Sequence, residues 1–465
     1  MKKIIFVFAV QLISIIGFAQ CIQQVKTGKH HVVVLDDKGY LWTGGSNDGG
    51  ELGDGTVENK KKFHKIGDMT WKQIFVREDI NLAIRSDGTL WGWGTNFSGQ
   101  LGDGTKTSRL SPVQIGTDNN WKSISIGLYH CMGLKTDGTL WGWGLNKDKQ
   151  LGSWITNFEE LSPVQIGTDS TWTSVFAGIK GNRAVKEDGS LWKWGLVGEP
   201  DLKKVLVDGI KQVGTEYNWK RITGTERYFF GYKTDGTLWR WGSNEISYLG
   251  GENGNLIKLN DTKLWVELAY SDYDDHALMI KEDGSLWSVG DNDFGQLGDG
   301  TTERREHFIQ IGNEHKWKAV AVGENFSAAI SEDNRLFTWG ANDYGQLLDG
   351  KESNDFSAIF DEEADRVLPN QVGTEVCLLG THDSNLKKKI MVYPNPTHRD
   401  ITIDFGEVLF EAATATVYNS LGQIVSQKII QKPTEIVPIE GTSGVYFVKI
   451  NFPNGETINH TVLKK

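Results

Sequence analysis

Beyond its first twenty residues the chain has no apolar run long enough to cross a bilayer as a helix, which excludes a helical membrane span. Positive charge is in deficit. Lys and Arg number 49 against 60 Asp and Glu, a formal charge of −11, and such an acidic balance opposes phosphate backbones and anionic lipid, so nucleic acid is excluded as a partner. The 3 cysteines admit one disulfide and leave one thiol over. Proline is also scarce, 9 residues against 55 glycines, and 465 residues of this composition are too many for one ordinary core but suit an array of small sheets joined by glycine turns. The spacings Gly-x-Ser-x-Gly, His-Glu-x-x-His and the phosphate loop do not occur, so no catalytic residue, cofactor or metal is expected.

Residues 1–20 combine Lys2 and Lys3 with an apolar run from Ile4 to Ala19 and the pair Ala19-Gln20 before Cys21, the pattern of a secretory signal peptide. Its removal takes two lysines and moves the formal charge from −11 to −13. The mature chain is expected to be exported and soluble, where a disulfide can persist. A lipid anchor on Cys21 is the weaker reading, because Phe18-Ala19-Gln20 lacks the small residue a lipoprotein signal places just before its cysteine.

What the chain has in abundance is tryptophan. Seventeen of its 18 tryptophans fall on a lattice with a period of about fifty residues. One series runs Trp42, Trp91, Trp141, Trp192, Trp239 and Trp287 and ends with Phe337 in the same slot, which makes seven copies. Tandem units of this length, rich in short strands and turn residues, form arrays in which no unit buries its apolar face alone. The third copy shows the plan: Trp121 to Gly127, His130 to Leu134, a strand through Leu140, Trp141 and Trp143, and Pro163 to Gly167. Trp121, Ser123 and Ser125 alternate with Ile124 and Ile126 at period two, and Asp137-Gly138 predicts a two-residue hairpin turn with both residues at positive φ. Four antiparallel strands per repeat predict a propeller blade.

After each third strand comes Asn-x-x-Gly-Gln-Leu-Gly-Asp-Gly-Thr, as in Asn96 to Thr105 and Asn292 to Thr301, with variants from Asn47, Asn146 and Asn342. Asp54, Asp103, Asp299 and Asp349 in these loops lack the alternating oxygen ligands of a calcium loop and read as turn-stabilising. The lattice tryptophans read as packing between blades. Gly-x-x-His, Asp-Gly-x-Leu-Trp-x-Trp-Gly and Gly-Gln-Leu-Gly-Asp-Gly together resemble the repeats of the regulator of chromosome condensation family over about residues 22–376. The resemblance implies an all-β fold with a seven-bladed propeller at residues 21–377. The family's repeat histidine maps onto His31, His130 and His276, while Ile80, Gly181, Tyr228 and Phe326 fill the slot elsewhere, so these histidines read as scaffold. The family's role in nucleotide exchange on chromatin conflicts with an acidic, exported chain, and only the fold carries over.

A propeller must join its last blade to its first. Ile22 to Gly28 fills the first strand slot without its Trp, and Leu368 to Gly373 supplies the last fourth strand. The third repeat's Trp slot lies seven residues beyond Gln114, and seven residues beyond Gln371 is Leu378, equivalent to Ile22. Cys377 then coincides with Cys21, which predicts a disulfide clamping the ring, with two unpaired thiols as the alternative. Cys131 reads as a buried, inert thiol.

The lattice stops after Cys377. Residues 378–389 read as a linker and 390–465 as a small β-sandwich with alternating strands at Asp400 to Asp404, Ala415 to Tyr418 and Gly444 to Ile450. Tyr393-Pro394-Asn395-Pro396, the turn ending Leu421-Gly422-Gln423, Gly444-Val445-Tyr446 and the terminal Lys464-Lys465 resemble the C-terminal sorting domain of the type IX (Por) secretion system. That resemblance implies export through the type IX machinery, with the product released or attached to the outer-membrane surface. An ordinary carbohydrate-binding sandwich is the alternative.

Departures from the lattice are where loops on a rigid scaffold carry specificity. Ser153 to Phe158 replaces Gly-Asp-Gly-Thr in the third repeat and holds Trp154, the one off-lattice Trp. Leu196 to Lys211 abandons the loop motif, and Lys351 to Arg366 adds Phe356 and Phe360. Trp154, Phe158, Phe356 and Phe360 are the candidate binding residues, for an unknown protein or glycan, against local packing of the loop. Asp272, Asp274 and Asp275 beside His276 read as a solvated loop rather than a metal or acid-base site. The expected function is a secreted or cell-surface binding scaffold. The alternatives are an inhibitor using one propeller face or an enzyme in the central channel. Aromatics gathered on one face favour binding, and converging acids in the channel favour catalysis.

Overall fold

Strands begin where the lattice puts them, because period-two alternation gives each segment one apolar row to bury. The computed structural model describes residues 21–198, 204–224, 228–242, 257–259, 265–271, 276–352, 361, 364–372, 391–393, 397, 399–405, 413–419, 423–432, 434–452 and 457–465. Chain contacts divide it into two compact units, Met1–Cys377 and Leu378–Lys465. The signal segment, the linker and Cys377 lie outside the described residues.

The first unit holds, among the described residues, seven four-stranded antiparallel sheets, each a meander in chain order. The second sheet runs Trp71–Arg77, Ile80–Arg85, Leu90–Gly94 and Arg109–Ile115. Sheets one to seven span residues 22–65, 71–115, 121–165, 172–213, 219–258, 265–311 and 317–371. A residue late in each second strand packs on the first residue of the next sheet. The pairs Leu35 and Trp71, Ile84 and Trp121, Leu134 and Trp172, Val185 and Trp219, Tyr232 and Trp265, and Ile280 and Trp317 each share one apolar cluster. Ile330 of sheet seven packs in the same way on Ile22 of sheet one, which has no Trp there. The ring therefore closes, and Ile22 N–H seals the seam by donating to Asn334 O at 3.1 Å. The lattice tryptophans whose side chains are described pack in these clusters, as core residues of a propeller do.

The Asp-Gly turns differ from the expected form. Gly138 N–H donates to Lys135 O at 3.0 Å, Lys135 N–H donates to Thr139 O at 3.1 Å, and Gly138 has φ +79° while Asp137 has no positive φ. This is a three-residue type I turn closed by a glycine bulge. Asp137 Oδ1 selects it by accepting from Thr139 N–H and Oγ1 at 3.0 and 2.6 Å. The stretch from Leu196 to Lys211 is a lengthened hairpin, with strands Leu191–Gly198 and Lys204–Val213 paired Leu196 to Leu206 and Val197 to Val205.

The second unit has a three-stranded sheet, Met391–Tyr393, Asp400–Asp404 and Thr434–Pro438, and a four-stranded sheet ordered Ile424–Ile430, Ala413–Tyr418, Gly444–Asn451 and Thr457–Lys464. Ile403, Val417, Val437 and Val448 share one core between them. Three of these strands, at 424–430, 434–438 and 457–464, carry no strong turn-and-alternation signal and are additions to the sequence reading.

Candidate functional site

Antiparallel pairing brings the turn between first and second strands beside the loop that follows the third strand. Thr95 N–H donates to Asp79 O at 3.0 Å and Leu145 N–H to Tyr129 O at 2.8 Å. Both kinds of loop thus form one edge of the ring, and the Asp-Gly turns form the other. On the first edge the repeat histidines are latches. His130 Nε2 lies 2.8 Å from Asn182 Oδ1, and Asn182 Nδ2 donates to Gln150 O at 2.7 Å, the same carbonyl that accepts from Trp194 Nε1 at 2.8 Å. His31 meets Asn81 at 2.9 Å, and His276 meets Ser327 Oγ at 3.0 Å. Each histidine therefore ties its sheet to the next, as a scaffold role requires. Since Asn182 Nδ2 is committed to a carbonyl, its Oδ1 accepts and His130 Nε2 carries the proton. Nδ1 of His130 is buried without a hydrogen-bond partner. Burial first, with the Arg77 charge adding to it, outweighs the Asn182 bond and pulls the His130 pKa down to about 4.

The loops after the third strands are held from inside by asparagine. Asn96 Nδ2 donates to Thr105 O and Thr107 O at 3.0 and 3.2 Å, and its Oδ1 accepts from Leu101 N–H at 2.9 Å. Asp103 caps the turn at Thr105 and pairs with Arg109 at 2.6 Å. Burial raises the Asp103 pKa, but hydrogen bonds from Thr105 and Arg109 overcome that and hold it below the ordinary carboxylate range. Asp54 and Asp299 cap Thr56 and Thr301 in the same way, and Asp349 accepts from Lys351 N–H and pairs with Arg366 at 2.6 Å. These aspartates are turn residues.

Loop three keeps the asparagine and changes the rest. Asn146 Nδ2 still donates to Ile155 O and Asn157 O at 2.9 and 3.0 Å. Trp154 stands where the other loops have Gly55, Gly104, Gly300 and Gly350, whose N–H groups tie to the next sheet. Its indole lies over the bare Cα of Gly152, where a Cβ would sit 2.6 Å from Trp154 Cζ2, yet the residue is 46% exposed. The ring is held against the loop while the residue stays exposed. Phe158 is exposed on the same loop. Two further aromatics escaped the sequence reading: Phe97, 75% exposed in loop two, and Tyr129, exposed in the first turn of sheet three. Among the described residues of the propeller the exposed aromatics are these four and Tyr217, which lies on the opposite edge. Phe97 was hidden inside a loop that otherwise matches the repeat, and the signal was an aromatic at a position where other loops carry Asp48, Lys147, Asp293 or Asp343. Phe356, Phe360 and Asp272 to Asp275 lie outside the described residues.

The ends of all seven first strands converge on an axial cavity of about 310 Å³. Its polar groups stitch strands together: Thr27 Oγ1 donates to Val322 O at 2.6 Å, Ser125 Oγ accepts from Ala177 N–H at 2.8 Å, and Arg77 donates to Ile126 O and Ala177 O at 3.2 and 3.1 Å. Glu78 is the one acid among its described lining residues. The opposite edge carries lysines between paired tryptophans. Lys135 Nζ lies 3.4 Å from the Trp141 ring centre and pairs with Asp118 at 2.7 Å, with Lys186 and Lys233 repeating the arrangement.

In the tail, Tyr446 is buried and donates from its hydroxyl to Thr442 O at 2.7 Å, Gly444 opens its strand, and Tyr393 is exposed. Pro394, Asn395, Pro396 and Gly422 lie outside the described residues. Cys21 is buried in a disulfide and Cys131 is free and buried, its thiol pKa pushed up by burial.

Family models agree with this geometry. The regulator of chromosome condensation (RCC1) repeat matches residues 87–134, 137–182 and 283–330, and a second model of that repeat matches 121–150 and 317–346. The secretion system C-terminal sorting domain matches 391–464. The chain therefore carries RCC1 repeats and a type IX sorting domain, which marks it for secretion and cell-surface attachment. Among the described residues no helix is long and apolar enough to cross a membrane. No curated protein sequence matches the chain. Among solved structures, human WBSCR16 is similar at 17% identity and a TM-score of 0.59, over 72% of this chain and 93% of that one. Prp20p from Saccharomyces cerevisiae, crystallised in work on its binding to Gsp1p and histones, is similar at 17% identity and 0.58, over 80% and 90%. Likeness at this identity establishes the propeller fold.

Proposed function

We propose that the chain is a secreted, surface-attached scaffold that binds a protein or glycan through the loop edge over sheets two and three, without catalysis of its own. The observation that carries this reading is the gathering of Phe97, Tyr129, Trp154 and Phe158 in adjoining loops of one edge. Trp154 supports it most, because a ring held against Gly152 loses little freedom on binding and the residue remains exposed for contact. The polar groups of the axial cavity are committed to one another, Thr27 to Val322, Ser125 to Ala177 and Arg77 to Ile126 and Ala177, which supports binding over a channel enzyme. The test is retention. The mature chain is immobilised, exposed to proteins and polysaccharides of its surroundings, and compared with Trp154→Ala. Retention that the substitution weakens supports the reading. If the retained species is an enzyme that loses turnover, the inhibitor reading takes its place, and retention indifferent to Trp154 removes the assigned surface.

A further inference from the structure

Strand register in the tail places an apolar cluster on the side of the four-stranded sheet that faces away from the core. Tyr446, Val448 and Ile450 alternate inward and are buried, so Val445 and Phe447 point outward. Phe447 lies opposite Tyr418, Tyr418 opposite Ile424, and Val445 opposite Leu463. Cross-strand partners on one face have Cβ atoms about 5 Å apart, so these five side chains are contiguous. Ile424 is 59% exposed, Phe447 47%, and Val445 and Leu463 are exposed with them. The middle of the same face is polar, carrying Thr416 between Gln427 and Lys449.

A cluster of this kind does not serve the core. The core between the two sheets is already complete without it, and the outward strand positions of a solvated sheet are ordinarily polar. A contiguous exposed apolar cluster bordered by polar residues is the form that a protein interaction site takes. The domain match covers the whole unit, and a sorting domain acts by being read by another protein.

We infer that Tyr418, Ile424, Val445, Phe447 and Leu463 form the surface by which the type IX machinery recognises this tail, the partner being a folded protein that presents an apolar patch to the outward sheet face. The inference rests on the sorting role of residues 391–464. The residues of the motif then divide their work. Tyr446 builds the core, and its neighbours Val445 and Phe447 are read.

The experiment uses the full chain in a cell with a type IX system and measures the exported fraction against the periplasmic fraction. Thr keeps strand propensity and removes apolar area, so Ile424→Thr with Phe447→Thr is the test variant, Gln427→Ala with Lys449→Ala is the control on the polar part of the face, and deletion of residues 390–465 is the reference. The expected result is at least a ten-fold loss of export for the apolar pair, about three-fold for Leu463→Thr alone, no change for the polar pair, and none exported for the deletion. Thermal melting of each variant confirms folding, and the single changes on separate strands stand in if the pair does not fold. Wild-type export of both Ile424→Thr/Phe447→Thr and Leu463→Thr, with the deletion retained in the periplasm, overturns the inference alone. Export of the deletion variant overturns the sorting role itself.

Discussion

Leu348 covers Gly44 at the seam where the ring closes. In loops one, two and six the equivalent of Leu348 is glycine, and the indole of the next sheet lies over it: a Cβ on Gly53, Gly102 or Gly298 would be 2.8, 2.7 or 2.7 Å from Trp93, Trp143 or Trp339. At the seam the sizes are exchanged. Sheet one has Gly44 in the tryptophan position, a Cβ there would collide with Leu348 Cδ2, and Leu348 holds φ +62° to reach it. Leu348→Gly is expected to open a cavity and cost about 2 kcal/mol or more, partly offset by relief of the left-handed backbone. Gly44→Trp alone is expected to disrupt the seam, and the double variant to recover at least half the loss. Chemical denaturation of the three variants measures the coupling.

The His130 latch makes stability fall in mild acid. The pKa of His130 is about 4 in the folded chain and about 6.5 when unfolded, so below pH 6.5 the unfolded state binds more protons. The stabilisation is therefore full above pH 6.5 and is lost progressively as pH drops toward 4, on the order of 3 kcal/mol at the end of that range. Denaturation midpoints measured at pH 7.5 and 4.5 should converge when His130 is replaced by Gln. Asn182→Ala, which orphans His130 and leaves Gln150 O with Trp194 Nε1 as its donor, should cost about 1–3 kcal/mol at pH 7.5.

Cys21 and Cys377 are proposed to clamp the ring. Cys21 is in a disulfide and Cys131 is free, and the chain has three cysteines. Thiol titration of the denatured secreted chain should find one reactive group, at Cys131, and Cys21→Ser should lower stability by up to about 5 kcal/mol. Three reactive thiols in the unmodified chain would contradict the pairing.

Much of the scaffold was legible because the repeat declares it seven times. The tryptophan lattice located the first and third strands of the sheets, and Ile22 in the empty slot identified the closing seam. The pairing of histidines was legible only across repeats: His31, His130 and His276 are each followed, one repeat on, by Asn81, Asn182 or Ser327 just past the slot, whereas repeats without His are followed by Cys131, Phe229, Ala277 or Val32. The turn type was not legible, because Asp-Gly suits two hairpin forms and the choice is made by the Asp137 carboxylate bonding to Thr139. Phe97 was missed because the rest of its loop keeps the repeat, so that only a comparison of one position across the loops separates it from Asp48, Lys147, Asp293 and Asp343. Trp154 was found because it broke the repeat.

Trp154 tests the binding surface most directly. The affinity of the retained ligand is measured for the full chain, for Trp154→Ala and for Tyr217→Ala, which removes an exposed aromatic from the opposite edge. Loss of more than about 1 kcal/mol for Trp154→Ala with none for Tyr217→Ala is the predicted result. Equal affinity for all three chains, or loss confined to Tyr217→Ala, would contradict the loop edge over sheets two and three as the binding surface.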